Sequence, residues 1–212
     1  MPRTLGSTTG PHFYCDADKE YWKELKQKFA NKPPSICYKR STSVYGEDMW
    51  VIEGRGTTRN LLQNSLVWYC PIQNRYNVSH SKCRGFRALD ICSSYGVSSR
   101  AFLEHHHRVD IIEPEEFMAS LVESNSRIWK VSDRMHVMCR EDFDAVEFNS
   151  YDSVRIGTNK LAYILMECPD IYNVKNIVLD FTITDKIKES ILERGYEVLT
   201  RYSAATHSFT RA

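Results

Sequence analysis

A chain of 212 residues with 42% hydrophobic and 12% aromatic residues has the composition of a globular protein with a core. It is long enough for one domain and an extension. Its formal net charge of +1 excludes a global basic field for nucleic acid and leaves only local patches for that purpose. No apolar run approaches the roughly 20 residues that cross a bilayer, and the N-terminal MPRTLGSTTGPHF has no apolar signal core, so no membrane partner is expected.

Residues 1–15 are rich in Gly, Pro and Thr and read as irregular. Residues 16–30 (DADKEYWKELKQKFA) predict a helix. Asp16 or Asp18 can cap it, Tyr21, Trp22, Leu25 and Phe29 recur at helical spacing, and Pro33-Pro34 follows its end. Short strands are predicted at 36–38 and 49–52, with a turn at Gly54-Arg55-Gly56. A second helix runs from a Thr57 or Thr58 cap to about Trp68, with Leu61, Leu62 and Leu66 inside. Residues 70–85 read as a loop or linker. Its Arg75, Tyr76, His80, Lys82 and Arg84 could contact phosphate or RNA, or form a solvated basic stretch. Asn77-Val78-Ser79 is a chance-level match to a glycosylation acceptor.

From residue 86 the pattern becomes regular. Strand 86–91 leads to helix 97–106, and strand 108–113 leads to helix 115–127. Strand 134–139 is followed by an acidic turn. Strand 152–156 precedes helix 158–167, and strand 175–181 precedes helix 184–194. Strands 196–202 and 206–211 close the chain as a hairpin. Strands alternating with helices imply a mostly parallel, Rossmann-like α/β sheet covered on both faces, and the hairpin adds an antiparallel edge. The division is therefore an N-terminal extension of helices and loops, 1–85, and a domain, 86–212.

The functional content is concentrated in 86–117. A buried strand, a turn of small residues and a helix are a standard way to hold a nucleotide-like ligand. An acid at the end of the second strand, about 20 residues on, is where ribose hydroxyls are bound. Asp90 ends the first strand, Cys92 to Gly96 form the turn, and Glu113 ends the second strand.

The seven cysteines (Cys15, Cys37, Cys70, Cys83, Cys92, Cys139 and Cys168) are odd in number, scattered and without a CxxC pair. That argues against a zinc ribbon and for reduced thiols in an intracellular, cytoplasmic setting. Cys92 at a helix start could be a reactive thiol or a small packing residue. His105-His106-His107 cannot converge on one ion from consecutive helical positions, so they read as a polar helix end and no metal site is assigned.

This order of strands, with the ligand turn after the first strand and a closing hairpin, resembles the class I S-adenosylmethionine-dependent methyltransferases over roughly residues 86–212. Their first motif is an acid followed by three spaced glycines, D-x-G-x-G-x-G. Here it reads Asp90-Ile91-Cys92-Ser93-Ser94-Tyr95-Gly96, with Cys92 and Ser94 in two glycine places and Gly96 in the third. The resemblance implies S-adenosylmethionine as cofactor. It places Asp90 toward the methionine amino group, with Cys92, Ser94 and Gly96 along the turn and Glu113 on the ribose. Asp142, in the sequence Glu141-Asp142-Phe143, falls at the adenine amino group and Phe143 beside the purine or in the core.

Within that class, EFNSYDSVRIGTNKLAYIL, NIVLDFT and ILERGYEVL resemble the FkbM-type enzymes, which carry an acid at the end of the fourth strand. Gly157 stands in that place here, while Asp180 matches the acid of the next strand and Gly195-Tyr196 the later turn. The Lys-Asp-Lys-Glu set of RNA ribose methyltransferases fits poorly, since Gly157-Thr158-Asn159-Lys160 stands where its Asp belongs. The implied reaction is transfer of a methyl group, to oxygen, on a small-molecule or RNA acceptor. No base is fixed; Asp152, Lys160 and Asp180 are the candidates. The alternatives are a non-catalytic methyltransferase-like binding or assembly module, with a protein partner at the N-terminal extension, and a nucleotide-binding reductase.

Overall fold

The computed structural model describes residues 36–40, 48–52, 85–93, 95–140, 143, 145–203 and 206–211. The two short strands expected in the extension form an antiparallel pair, β1 (Ile36–Arg40) and β2 (Asp48–Ile52), with Ile36 opposite Ile52. The predicted helices at 16–30 and 57–68 and the basic loop lie outside the described residues.

The main sheet has seven strands: β3 (Gly85–Ile91), β4 (His106–Ile112), β5 (Met135–Met138), β6 (Ser153–Ile156), β7 (Asn176–Leu179), β8 (Tyr196–Ser203) and β9 (Thr206–Arg211). Their spatial order is β5-β4-β3-β6-β7-β9-β8. The first five are parallel, and β9 returns antiparallel to β7 with β8 antiparallel to it. This is the Rossmann-like sheet with a terminal hairpin that the alternating pattern implied. Helices α1 (Val97–Phe102), α2 (Glu116–Ile128), α3 (Ile164–Glu167) and α4 (Asp185–Glu193) connect the strands.

Parallel strands are buried on both faces, so their residues read as near-continuous apolar runs. Alternate side chains then feed two cores. Ala88, Val109, Ile111 and Val178 point to one face, where Leu121, Val122 and Phe102 of α1 and α2 complete the first core. Leu89, Ile91, Ile112, Val154, Ile156, Ile177 and Leu179 point to the other, where Ile164, Leu165 and Ile191 of α3 and α4 complete the second. Thr184 caps α4, its Oγ1 accepting from the backbone N–H of Ile187 at 3.3 Å.

Two boundaries differ from the sequence reading. The helix expected to run to 106 ends at Phe102, and His106 opens β4 instead of closing a helix. His106 is buried among polar partners, which apolar periodicity does not register. The Phe102 carbonyl only accepts, so the ring Nδ1–H donates to it at 3.2 Å. Nε2 then accepts from the Ser153 hydroxyl at 3.0 Å, and Ser153 Oγ in turn accepts from Asn176 Nδ2 at 3.2 Å. His107 is exposed, edge-on to the Phe86 ring at 5.0 Å. The helix expected over 158–167 is broken into a 3-10 turn, Asn159–Leu161, and the short α3. Thr158 accounts for the break. Its Oγ1 accepts from the Lys160 N–H at 3.4 Å and its carbonyl from the Leu161 N–H at 3.2 Å, a local turn that competes with the helix.

Candidate ligand site at the strand ends

The strand order reverses between β3 and β6, and in open α/β sheets the ligand crevice lies at that switch point, outside the C-terminal ends of the strands. Ladder bonds carry on one residue past each strand there. Cys92 N donates to the Ile112 carbonyl at 2.8 Å, Glu113 N to Met138 at 3.0 Å and Gly157 N to Ile91 at 2.8 Å. Cys92, Glu113 and Gly157 therefore stand side by side along the rim.

The turn between β3 and α1 is sharp. Cys92 sits at φ 57, in the left-handed region that favours glycine. Gly96 sits at φ 83, and a Cβ there would lie 3.0 Å from Val122 Cγ1. Gly96 N donates to the Ser93 carbonyl at 3.2 Å, and Asn125 Nδ2 on α2 ties the turn down by donating to the Tyr95 carbonyl at 3.0 Å. Inside the turn, Ser93 is 4% exposed and its hydroxyl has no hydrogen-bond partner among the described residues. Such an orphan is a group that a bound molecule can satisfy.

Gly157 is required by packing. A Cβ there would lie 2.3 Å from the Cys92 carbonyl oxygen and 2.9 Å from Arg155 Nη1. No strand-end acid can occupy this position on the present backbone.

Below the rim, Asp90 is fully buried and engaged on both oxygens. Oδ2 accepts from the hydroxyls of Ser98 at 2.5 Å and Ser99 at 2.6 Å, and Oδ1 accepts from Arg155 Nη1 at 2.7 Å. The same guanidinium donates through Nη2 to Asp180 Oδ2 at 2.7 Å. Arg155 thus bridges the ends of β3 and β7 from the β6 strand between them. Ser98, Ser99, Asn125 and Arg155 were not singled out from sequence. The one available signal was Arg155 itself, a charge inside a four-residue buried strand (SVRI).

Glu113 is 6% exposed at the end of β4, beside Cys92. Phe143 is 4% exposed and belongs to the second core, which gives it a packing role. Ser94, Glu141 and Asp142 lie outside the described residues. Burial, with the nearby Glu113 and Asp90 carboxylates, pushes the Cys92 thiol up to about 12, so it stays protonated at neutral pH and is no activated thiolate.

Of the three candidate bases, Asp152 is at the wrong end of the sheet. It precedes β6, and its carboxylate accepts from the N–H groups of Phe86 and Arg87 at 2.6 and 2.9 Å, at the start of β3. Asp180 is at the correct end but is paired with Arg155. Lys160 is exposed on the turn after β6. Among the described residues no three His, Cys, Asp or Glu side chains gather as a metal set, and no helix is long and apolar enough to cross a membrane.

No family model and no curated protein sequence matches the chain. Solved structures do match its fold. A proposed S-adenosylmethionine-dependent methyltransferase from Methanococcus maripaludis superposes with a TM-score of 0.54 at 14% identity, covering 73% of this chain and 91% of that one. A proposed tRNA (m1A22) methyltransferase from Streptococcus pneumoniae gives 0.51 at 14% identity, over 66% and 70%. TYW2 of M. jannaschii, solved in complex with AdoMet, gives 0.51 at 13% identity, over 85% and 88%. The chain shares the Rossmann-like fold of these methyltransferases.

Proposed function

We propose that the chain binds S-adenosylmethionine at the C-terminal ends of β3 and β4 and acts as a methyltransferase. The observation that carries this reading is the pairing, at the switch point, of the tight turn 92–96 with the buried carboxylate of Glu113. A carboxylate at the end of the second strand can accept from both ribose hydroxyls. The orphaned Ser93 hydroxyl inside the turn fits a polar ligand lying across it. Bound there, S-adenosylmethionine supplies an electrophilic methyl group on sulfur. The chain's own part is to hold and align the donor, since a preset geometry removes much of the entropic barrier.

The state of the candidate bases bears on the acceptor. Deprotonating an alcohol needs a general base within hydrogen-bond reach. Asp152 is remote and Asp180 is held by Arg155, which leaves Lys160. This favours an acceptor that can attack without first losing a proton, such as an unprotonated ring nitrogen, over the oxygen acceptor expected from the FkbM-like pattern. A second reading, donor binding without turnover, is favoured by the same sequestered acids and by Gly157 at the fourth-strand end.

Calorimetric titration of the purified chain with S-adenosylmethionine tests the proposal. Binding should be seen, and Glu113→Ala should weaken it about tenfold or more, because a buried hydrogen bond to a charged group contributes about 1.5–3 kcal/mol. No heat at millimolar ligand rejects the donor site, and an unchanged affinity in the variant rejects the role of Glu113.

A further inference from the structure

The strand-end acid Asp90 would be the natural partner for an ammonium group on a ligand in this crevice, yet its carboxylate is already enclosed by groups of the chain. It is fully buried, and it accepts from two hydroxyls and a guanidinium. The cation on it is supplied from within, by Arg155, whose side chain is 6% exposed. Asp180, the acid at the end of β7, is covered by the other arm of the same guanidinium. The fork geometry of arginine suits this double role, since it presents two N–H edges at a fixed angle to two carboxylates.

Arg155 and Gly157 form one unit here. Gly157 leaves room both for the Cys92 carbonyl and for Arg155 Nη1, each of which a Cβ would meet within 3.0 Å. Arginine at 155 and glycine at 157 belong together: the first brings the positive charge under the rim, and the second lets the backbone close over it.

We infer that Arg155 is a resident counter-ion that takes the place of the ligand's ammonium at Asp90, so that the site selects its ligand by the nucleoside end and not by the amino group. This rests on the donor site proposed above and sharpens its ligand class to thioether or sulfonium nucleosides in which the amino group is dispensable. Glu113, on the neighbouring strand, is the acid that reads the nucleoside.

The test is calorimetry on the unmodified full chain with two ligands: S-adenosylhomocysteine and its desamino analogue, which lacks only the ammonium group. A direct charged hydrogen bond from the ammonium to a buried acid would be worth roughly tenfold or more in affinity. The two ligands should differ by less than about tenfold. Preference for S-adenosylhomocysteine by tenfold or more would overturn the inference and leave the donor site standing. Binding of neither would overturn the donor site, and the inference with it.

Discussion

Replacing Arg155 by methionine removes a cation that bridges two buried carboxylates while keeping an apolar stem of similar length. Asp90 is fully buried and the Asp180 side chain is 1% exposed, so neither charge can recover its hydration by turning to solvent. Breaking a buried pair by deleting one partner costs about 3–5 kcal/mol, because an uncompensated charge stays behind. Set against a total stability of roughly 5–15 kcal/mol for a domain, that is a large fraction. The triple variant Asp90→Asn, Arg155→Met, Asp180→Asn removes the charges together. Swapping a whole buried ionic group for neutral residues is often near neutral, so it should recover most of the loss. Urea unfolding followed by circular dichroism measures both. If Arg155→Met cost less than about 1 kcal/mol, or if the triple variant were no more stable than the single one, the three groups would not be acting as one buried network.

Further consequences concern the rim and the base of the sheet. Gly157→Ala should destabilise by about 1–3 kcal/mol or more, since its Cβ would fall 2.3 Å from a backbone carbonyl that cannot rotate away; urea unfolding checks it. With its thiol pushed up to about 12, Cys92 should alkylate roughly a thousandfold more slowly than a free thiol near pH 8, read by mass spectrometry of its peptide. His106 is held neutral, its pKa lowered from the ordinary 6.5 chiefly by burial. A depressed folded-state pKa means that its contribution is present above about 6.5 and is lost as pH falls below it, by at most about 1.4 kcal/mol per pH unit. Comparing unfolding of the parent with His106→Gln at about pH 7 and about pH 5 isolates that slope; a difference between the two proteins that does not change with pH would refute it.

The sheet was legible because its parallel strands are apolar on both faces and each is followed by turn residues and an amphipathic stretch. That pattern placed β3, β4, β6 and β7 within a residue or two of where they lie. Glu113 was legible for the same reason, as an acid that stops an apolar run. What the pattern could not carry was polar burial. His106 looked like part of a polar helix end because nothing in HHH announces that its middle ring will be enclosed by Ser153 and the Phe102 carbonyl. Asp90 was read as a ligand contact because its spacing to Gly96 fits the first motif. Its partners in the structure, Ser98, Ser99 and Arg155, come partly from a strand 65 residues away. Gly157 looked like a missing acid; in space it is the place where two backbones touch. Asp152 and Asp180 were both candidate bases within predicted strands, yet they sit at opposite ends of the sheet because Asp152 precedes β6 and Asp180 follows β7.

The donor site is tested most directly by a crystal structure of the chain with S-adenosylhomocysteine. The ligand should lie across the C-terminal ends of β3 and β4, with its ribose hydroxyls within about 3 Å of the Glu113 carboxylate and Arg155 still seated between Asp90 and Asp180. A ligand bound elsewhere, or a ribose turned away from Glu113, would contradict it.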